Sequence, residues 1–312
     1  MSFSSDIKSE LAQIMPERRC CMLAEISGIL RTCGSIRLAG LNKINYRLVT
    51  ENAAAARKTI RLMKEYFGIR LELVISKNMM LKKNNFYEMI ISEDMRCQEI
   101  LRETGILKVK DGFNVFDYGI DESIIKKKCC KKAFLRGAFL GSGSITDPEK
   151  AYHMEIVTTN PVLAKDIIKL MGQFKLKAKD VVRKDATVVY IKDSSQISDF
   201  LNITGAHKAL LELENVKLMK EMVNRTNRLV NCDNANMDKT IAASERQIAA
   251  IEKIFRLKSP DWLPPKLREI ALLRVEEREA SLQELGAMLD PPLGKSGVSH
   301  RLAKIMELAE KL

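Results

Sequence analysis

The chain has only three histidines, His153, His207 and His300, and they stand far apart. None of its seven cysteines falls in a Cys-x-x-Cys spacing. The adjacent pairs Cys20–Cys21 and Cys129–Cys130 are poor geometry for two ligands of one metal, so no zinc signature is legible and neither metal nor cofactor is expected. An odd cysteine count without a disulfide framework points to reduced thiols in a cytosol. Long apolar runs are missing too, which excludes a bilayer-spanning segment, and the opening MSFSSDIKSELAQIM is too polar and acidic for a signal peptide. Aromatic residues make up 5% of the chain, and the basic clusters carry few of them. That argues against a platform for stacking single-stranded bases. Neither a membrane nor a small-molecule substrate is expected as a partner.

Basic charge is present in excess. The formal net charge is +12 and the isoelectric point is near 9.3, which implies a polyanionic partner, most simply double-stranded DNA. The 312 residues, 46% of them hydrophobic, are enough for two or three domains with real cores.

The stretch FLRGAFLGSGSI (134–145) places Gly137, Gly141 and Gly143 along an apolar helical face, although each interior glycine costs about 1 kcal/mol relative to alanine. An internal repeat explains them. AEISGILRTCGSI from Ala24 matches AFLRGAFLGSGSI from Ala133 at five positions, including Gly28/Gly137, Gly34/Gly143 and Ser35/Ser144. Downstream, TENAAAARKTIRLM from Thr50 lines up with TTNPVLAKDIIKLM from Thr158, and Thr104–Gly105 lines up with Thr204–Gly205. Three blocks in one order mark a duplicated fold. Strands are expected at 44–50, 71–76 and 86–92 in the first copy, and at 152–158, 178–184 and 187–193 in the second. Asn52 and Asn160 are candidate helix N-caps, with Pro161 at the first helical position. The expected class is α+β: two αββαββα units (about 18–125 and 126–207) forming a pseudo-two-fold domain over 1–207, followed by an all-α domain. Glycines then serve close approach where equivalent helices meet at the axis.

The helix pair resembles the LAGLIDADG helices of homing endonucleases, whose paired units present a saddle of strands to duplex DNA. In that motif the residue before the final glycine is an acidic metal ligand. Here Cys33 and Ser142 hold that position, and neither supplies the hard anionic oxygen that Mg²⁺ requires. The motif's other acidic position is Arg31 or Leu140. No catalytic residue is therefore expected. A nuclease or RNA maturase built on this scaffold, or a saddle that docks a protein, stay open as alternatives.

Between the units, IIKKKCCKKAFLRG carries Lys126, Lys127, Lys128, Lys131, Lys132 and Arg136 beside the expected DNA-facing axis. They are candidate phosphate contacts. From 208 to 258 the periodicity is helical, interrupted by NRTNRLVNCDNANMDKT (224–240), an expected helix-breaking hinge.

The last segment, 259–312, reads as a helix-turn-helix. LPPKLREIALLRVEER (263–278) starts with proline, and SLQELGAML (281–289) opens on a Ser281/Glu284 capping box. After DPPLGK, SGVSHRLAKIMELAEKL (296–312) runs to the last residue. Val298, Leu302 and Ile305 fall on one stripe and should pack inward, leaving Ser296, Gly297, His300 and Lys304 outward to meet base edges. Lys295 and Arg301 flank them, suited to phosphates. Ser281, Gln283 and Ser299 complete the candidate DNA-binding set.

A degenerate LAGLIDADG-like pair, an Asn-rich stretch and this helix-turn-helix are together similar to the WhiA family of bacterial regulators, over essentially the whole chain. LPPKLREIALLR, SLQELGAMLDPPLGKSGVSHRL and NRLVNCDNAN are the most specific stretches. The resemblance implies DNA binding without cleavage and a cytoplasmic, nucleoid-associated transcriptional regulator. It also implies involvement in sporulation genes or in cell division and chromosome segregation, with a sigma factor or other transcription protein as a further partner.

Overall fold

Helix α1 (Phe3–Gln13) opens the chain, capped by Ser2 and burying Phe3, Ile7 and Leu11. The computed structural model describes residues 2–38, 44–77 and 85–312. The chain divides into two compact units, Met1–Met219 and Lys220–Leu312.

The first unit holds the repeat. Its first copy runs α2 (Arg19–Cys33), β1 (Gly34–Leu38), β2 (Ile44–Thr50), α3 (Ala53–Phe67), β3 (Leu73–Lys77), β4 (Asn85–Ile91) and α4 (Cys97–Glu103). A hairpin, β5 (Leu107–Lys110) and β6 (Phe113–Phe116), follows. The second copy runs α5 (Lys128–Ser142), β7 (Gly143–Ile145), β8 (Met154–Thr158), α6 (Pro161–Gly172), β9 (Lys179–Arg183), β10 (Ala186–Ile191) and α7 (Ser194–Thr204). Both sheets are antiparallel and share one strand order, β1-β2-β4-β3 and β7-β8-β10-β9. The duplicated α+β fold is thus as expected. α1 and the β5–β6 hairpin lie outside the repeat pattern, and comparing the copies gave no sign of them.

Local chemistry sets these elements. Asn52 accepts from the Ala55 amide at 2.9 Å and Asn160 from the Val162 amide at 2.9 Å, capping α3 and α6. In β2 the alternation of buried Ile44, Tyr46, Leu48 and Thr50 with half-buried neighbours turns one sheet face to the core. That core is built on α2 and α5, which pack against each other along the axis. A Cβ on Gly28 would lie 2.4 Å from the Phe134 carbonyl oxygen, and one on Gly137 would lie 2.2 Å from that of Glu25. The two backbones touch at both glycines, as the repeat predicts.

Helix α8 (His207–Leu257) is unbroken. The expected hinge at 224–240 is helical throughout, which corrects the reading of that segment. It contains no glycine or proline, and each asparagine costs only a fraction of a kcal/mol of helix propensity. Ala209 and Leu213, near the start of α8, are buried in the first unit, and Ile251 and Ile254, near its end, belong to the core of the second. The second unit continues with α9 (Pro265–Glu276), α10 (Leu282–Ala287) and α11 (Lys295–Glu310). Among the described residues, no helix is long and apolar enough to cross a membrane.

Candidate nucleic-acid interface

In the second unit, α11 is held from behind by Val298, Leu302, Ile305 and Ala309, all buried. They meet Leu285 and Leu289 near α10, Ile270 and Ala271 of α9, and Ile251 and Ile254 of α8. Two devices fix the turns. Arg274 is 1% exposed, and its Nη1 donates to the carbonyls of Ala280, Glu277 and Arg278 at 2.7, 3.3 and 3.4 Å, tying down the α9–α10 link. In the longer α10–α11 turn, the Leu293 amide donates to the Gly286 carbonyl at 2.8 Å. A Cβ on Gly286 would sit 2.0 Å from the Leu293 carbonyl oxygen, so the turn closes only over glycine.

The outward face of α11 carries Lys295, Ser296, Ser299, His300 and Lys304, all exposed. Its N-cap is Gly294, with no side-chain cap and no acidic residue in the first turn. The leading amides, with their partial positive charge, are therefore open to anions. Three predicted residues have other duties. Gly297 is half-buried, and a Cβ there would press the Leu293 side chain at 2.7 Å. Arg301 is half-buried and donates to the Lys266 carbonyl at 3.4 Å. Lys304 pairs with Glu307 at 2.7 Å, and Lys304 and Lys311 together hold the Glu307 carboxyl down at about 2. On α10, Gln283 is exposed, and the predicted capping box is formed. Ser281 Oγ accepts from the Glu284 amide at 3.3 Å, and Glu284 Oε2 accepts from the Ser281 amide at 2.7 Å.

In the first unit, the positions that carry acids in LAGLIDADG helices lie at the C-terminal ends of α2 and α5. The Cys33 thiol donates to the Ile29 carbonyl at 3.3 Å, and desolvation pushes its pKa up to about 12. Ser142 Oγ donates to the Val157 carbonyl at 2.5 Å. Lys8 of α1 lines a cleft with Glu51, Asn52, Gly143 and Ser144, bringing a cation toward this end of the axis. On the sheet faces, Glu88 takes a forked contact from Arg47, at 2.5 and 2.7 Å. Glu155 Oε2 lies 3.2 Å from His153 Nε2 and 3.5 Å from Arg183 Nη1. Arg47 and Glu88 on the first sheet, and His153, Arg183 and Glu155 on the second, are thus paired with one another.

The basic run stands at the entry to α5, as the repeat places it. Lys126 and Lys127 precede α5, and Lys128, Lys131 and Lys132 occupy its first turns, at the opposite end from Ser142. Over 15 residues that separation is roughly 20 Å. The sequence placed the run beside the axis but said nothing of which end. Arg136 is not available to phosphates at all. It is 9% exposed, and its Nη2 and Nε donate to Glu25 Oε2 at 2.7 and 3.0 Å. Glu25, fully buried, also pairs with Lys58. This buried triad was missed, because a lone glutamate in an apolar helix gives no pattern to read.

Cys20–Cys21 and Cys129–Cys130 are repeat counterparts, and the Sγ atoms of Cys20, Cys21 and Cys130 lie within 4.8 Å of one another. The offset between the pairs equals that of the repeat, so the sequence itself pairs them.

Comparison with known proteins places these features. Residues 19–107 match the model of the WhiA N-terminal LAGLIDADG-like domain, 131–223 that of the WhiA LAGLIDADG-like domain, and 226–309 that of the WhiA C-terminal HTH domain. Relatives named probable cell division protein WhiA include one from Thermoanaerobacter pseudethanolicus, 50% identical, and one from Clostridium perfringens strain 13, 48% identical. Each alignment spans 100% of this chain and 98% of the relative. The crystal structure of full-length DUF199/WhiA from Thermatoga maritima aligns with a TM-score of 0.61 at 26% identity, covering 100% of this chain and 99% of that one.

Proposed function

Because the chain belongs to the WhiA family, we propose that it is a non-enzymatic, sequence-specific DNA-binding protein whose reading element is α11. The observation that carries this reading is the first half of α11. Lys295, Ser296, Ser299 and His300 stand exposed at an uncapped helix N-terminus, while Val298 and Leu302 anchor the opposite face. A helix presented this way fits the major groove, with Ser296, Ser299 and His300 toward base edges and Lys295 toward phosphate. Gln283, Arg301 and Lys304 flank this surface. Ser281 and Gly297 act by shaping α10 and the turn.

Cleavage has little support in the residues. The Cys33 thiol is held protonated, the Ser142 hydroxyl is engaged with a carbonyl, and Lys8 opposes a divalent cation. The proposed regulatory role covers cell division and chromosome segregation or sporulation genes, in the cytoplasm at the nucleoid. A sigma factor or other transcription protein would be its partner. We leave Lys126–Lys128, Lys131 and Lys132 out of the DNA interface, since they sit at the end of α5 opposite Ser142.

The test is selection of a duplex from a random library by the full chain, then anisotropy with a Ser299→Ala/His300→Ala variant. Loss of preference for the selected duplex, with non-specific binding retained, supports the reading. Undiminished preference in the variant refutes it, as does Mg²⁺-dependent cutting that vanishes when α2 or α5 is altered.

A further inference from the structure

We propose that Cys20, Cys21, Cys129 and Cys130 form a tetrathiolate site for a thiophilic divalent ion of the zinc class, clamping α2 to α5 at the end of the axis opposite Cys33 and Ser142. Three of the sulfurs lie within 4.8 Å of one another. Cys129 precedes Cys130 in the first turn of α5, and its Sγ lies 3.9 Å from Arg18 Nη1 at the same end of the helix pair. Tetrahedral zinc with metal–sulfur bonds of about 2.3 Å needs its sulfurs roughly 3.8 Å apart, so three sulfurs are nearly in place and the half-exposed Cys129 must turn toward them to supply the fourth.

Duplication supplies the symmetry. Each pair occupies the second and third positions of its helix, after Arg19 in α2 and after Lys128 in α5. A pseudo-two-fold axis between the helices brings two ligands from each side to one point. Cys21 and Cys130 are buried, while Cys20 and Cys129 are half-exposed, which leaves an entry path.

The surroundings suit a thiolate cluster. Zinc with four thiolates carries a net charge near −2, and soft sulfur donors select zinc over hard cations. Neither helix has a side-chain cap, so both present free amides and positive dipole ends to the sulfurs. Arg18 Nη1 lies 3.9 Å from Cys129 Sγ. Lys127, Lys128 and Lys131 surround the second pair in sequence. The basic run thereby gains a role as counter-charge that the DNA interface does not give it.

The experiment uses the full chain, reduced and oxygen-free, titrated with Co²⁺ and then with Zn²⁺. The expected result is one equivalent of Co²⁺ per chain, with sulfur-to-cobalt charge-transfer bands and tetrahedral d–d bands that Zn²⁺ abolishes. Cys20→Ser/Cys129→Ser, at the two half-exposed positions, should lose those bands, while Cys232→Ser on exposed α8 should keep them. If the double variant fails to fold by circular dichroism, Cys129→Ser alone should shift the d–d bands. No Co²⁺ spectrum from the reduced wild-type chain overturns the proposal. So do bands unchanged in the Cys20/Cys129 variants, or a disulfide among these cysteines that forms equally fast with and without Zn²⁺.

Discussion

Glu25 and Arg136 are locked together across the axis of the repeat, with Glu25 Oε2 accepting from Arg136 Nη2 at 2.7 Å and from Nε at 3.0 Å. The pair breaks the symmetry it spans. Arg136 is the repeat counterpart of Ser27, and both anchor equivalent carbonyls: Ser27 Oγ donates to Thr104 at 3.0 Å, and Arg136 Nη1 to Thr204 at 3.2 Å. The counterpart of Glu25 is Phe134, fully buried. The two copies have become complementary rather than identical, which favours pairing of one with the other over self-pairing of either.

Glu25→Gln should destabilise the first unit by roughly 3–5 kcal/mol, because Lys58 and Arg136 would remain as buried cations without their anion. Urea unfolding at neutral pH measures this. A loss below about 1 kcal/mol would mean that the triad is solvated and contributes little.

Gly137→Ala should also destabilise, although alanine is intrinsically the better helix former by about 1 kcal/mol. The added Cβ would meet the Glu25 carbonyl oxygen at 2.2 Å, a backbone atom that can move only if α2 and α5 separate. Overpacking of this kind costs roughly 1–3 kcal/mol or more. Gly172→Ala is the control, since a Cβ there meets nothing within 4 Å. Equal effects at the two positions would count against close helix packing.

Much of this architecture was legible in the chain because duplication writes the same pattern twice. The glycine-bearing helices, the asparagine caps and the α10 capping box all follow from local or repeated signals. Contacts between distant, unlike residues were not legible. Nothing near Arg136 tells that its partner lies 111 residues away, and nothing in the basic run tells which end of α5 meets the saddle. The Asn-rich stretch failed for another reason. Composition suggested a break, yet without glycine or proline nothing there forbids a helix.

Stability should depend on pH above neutrality in two opposed ways. Burial pushes the Cys33 and Cys97 thiols up to about 12 from an ordinary value near 9. Between those values the unfolded chain has released protons that the folded chain retains, so stability falls as pH rises from about 9 toward 12. Lys58 is pushed down to about 8, mainly by burial. From there to its unfolded value near 10.4 the unfolded chain binds more protons, and stability rises with pH. Cys33→Ala/Cys97→Ala should therefore flatten the alkaline decline in urea midpoints between pH 9 and 10. A steeper decline in that variant would contradict the assignment.

The last prediction separates reading from holding on α11. His300 is exposed on the proposed base-facing side, so His300→Ala should cost about 1–3 kcal/mol against the selected duplex and little against random DNA. Lys295→Ala should weaken both alike and flatten the salt dependence by about one unit per lost phosphate contact. Arg301 is held by the Lys266 carbonyl, so Arg301→Ala should show a smaller salt effect than Lys295→Ala. Lys304 is neutralised by Glu307, so Lys304→Ala should have the smallest effect of the four. Val298→Ala differs in kind. Val298 is fully buried behind the reading face, and the truncation should lower the unfolding midpoint of the second unit while also weakening binding. Anisotropy at two salt concentrations, with selected and random duplexes, resolves all five variants. If His300→Ala and Lys295→Ala give the same profile, α11 is not divided into base-facing and phosphate-facing sides, and its placement in the groove is wrong.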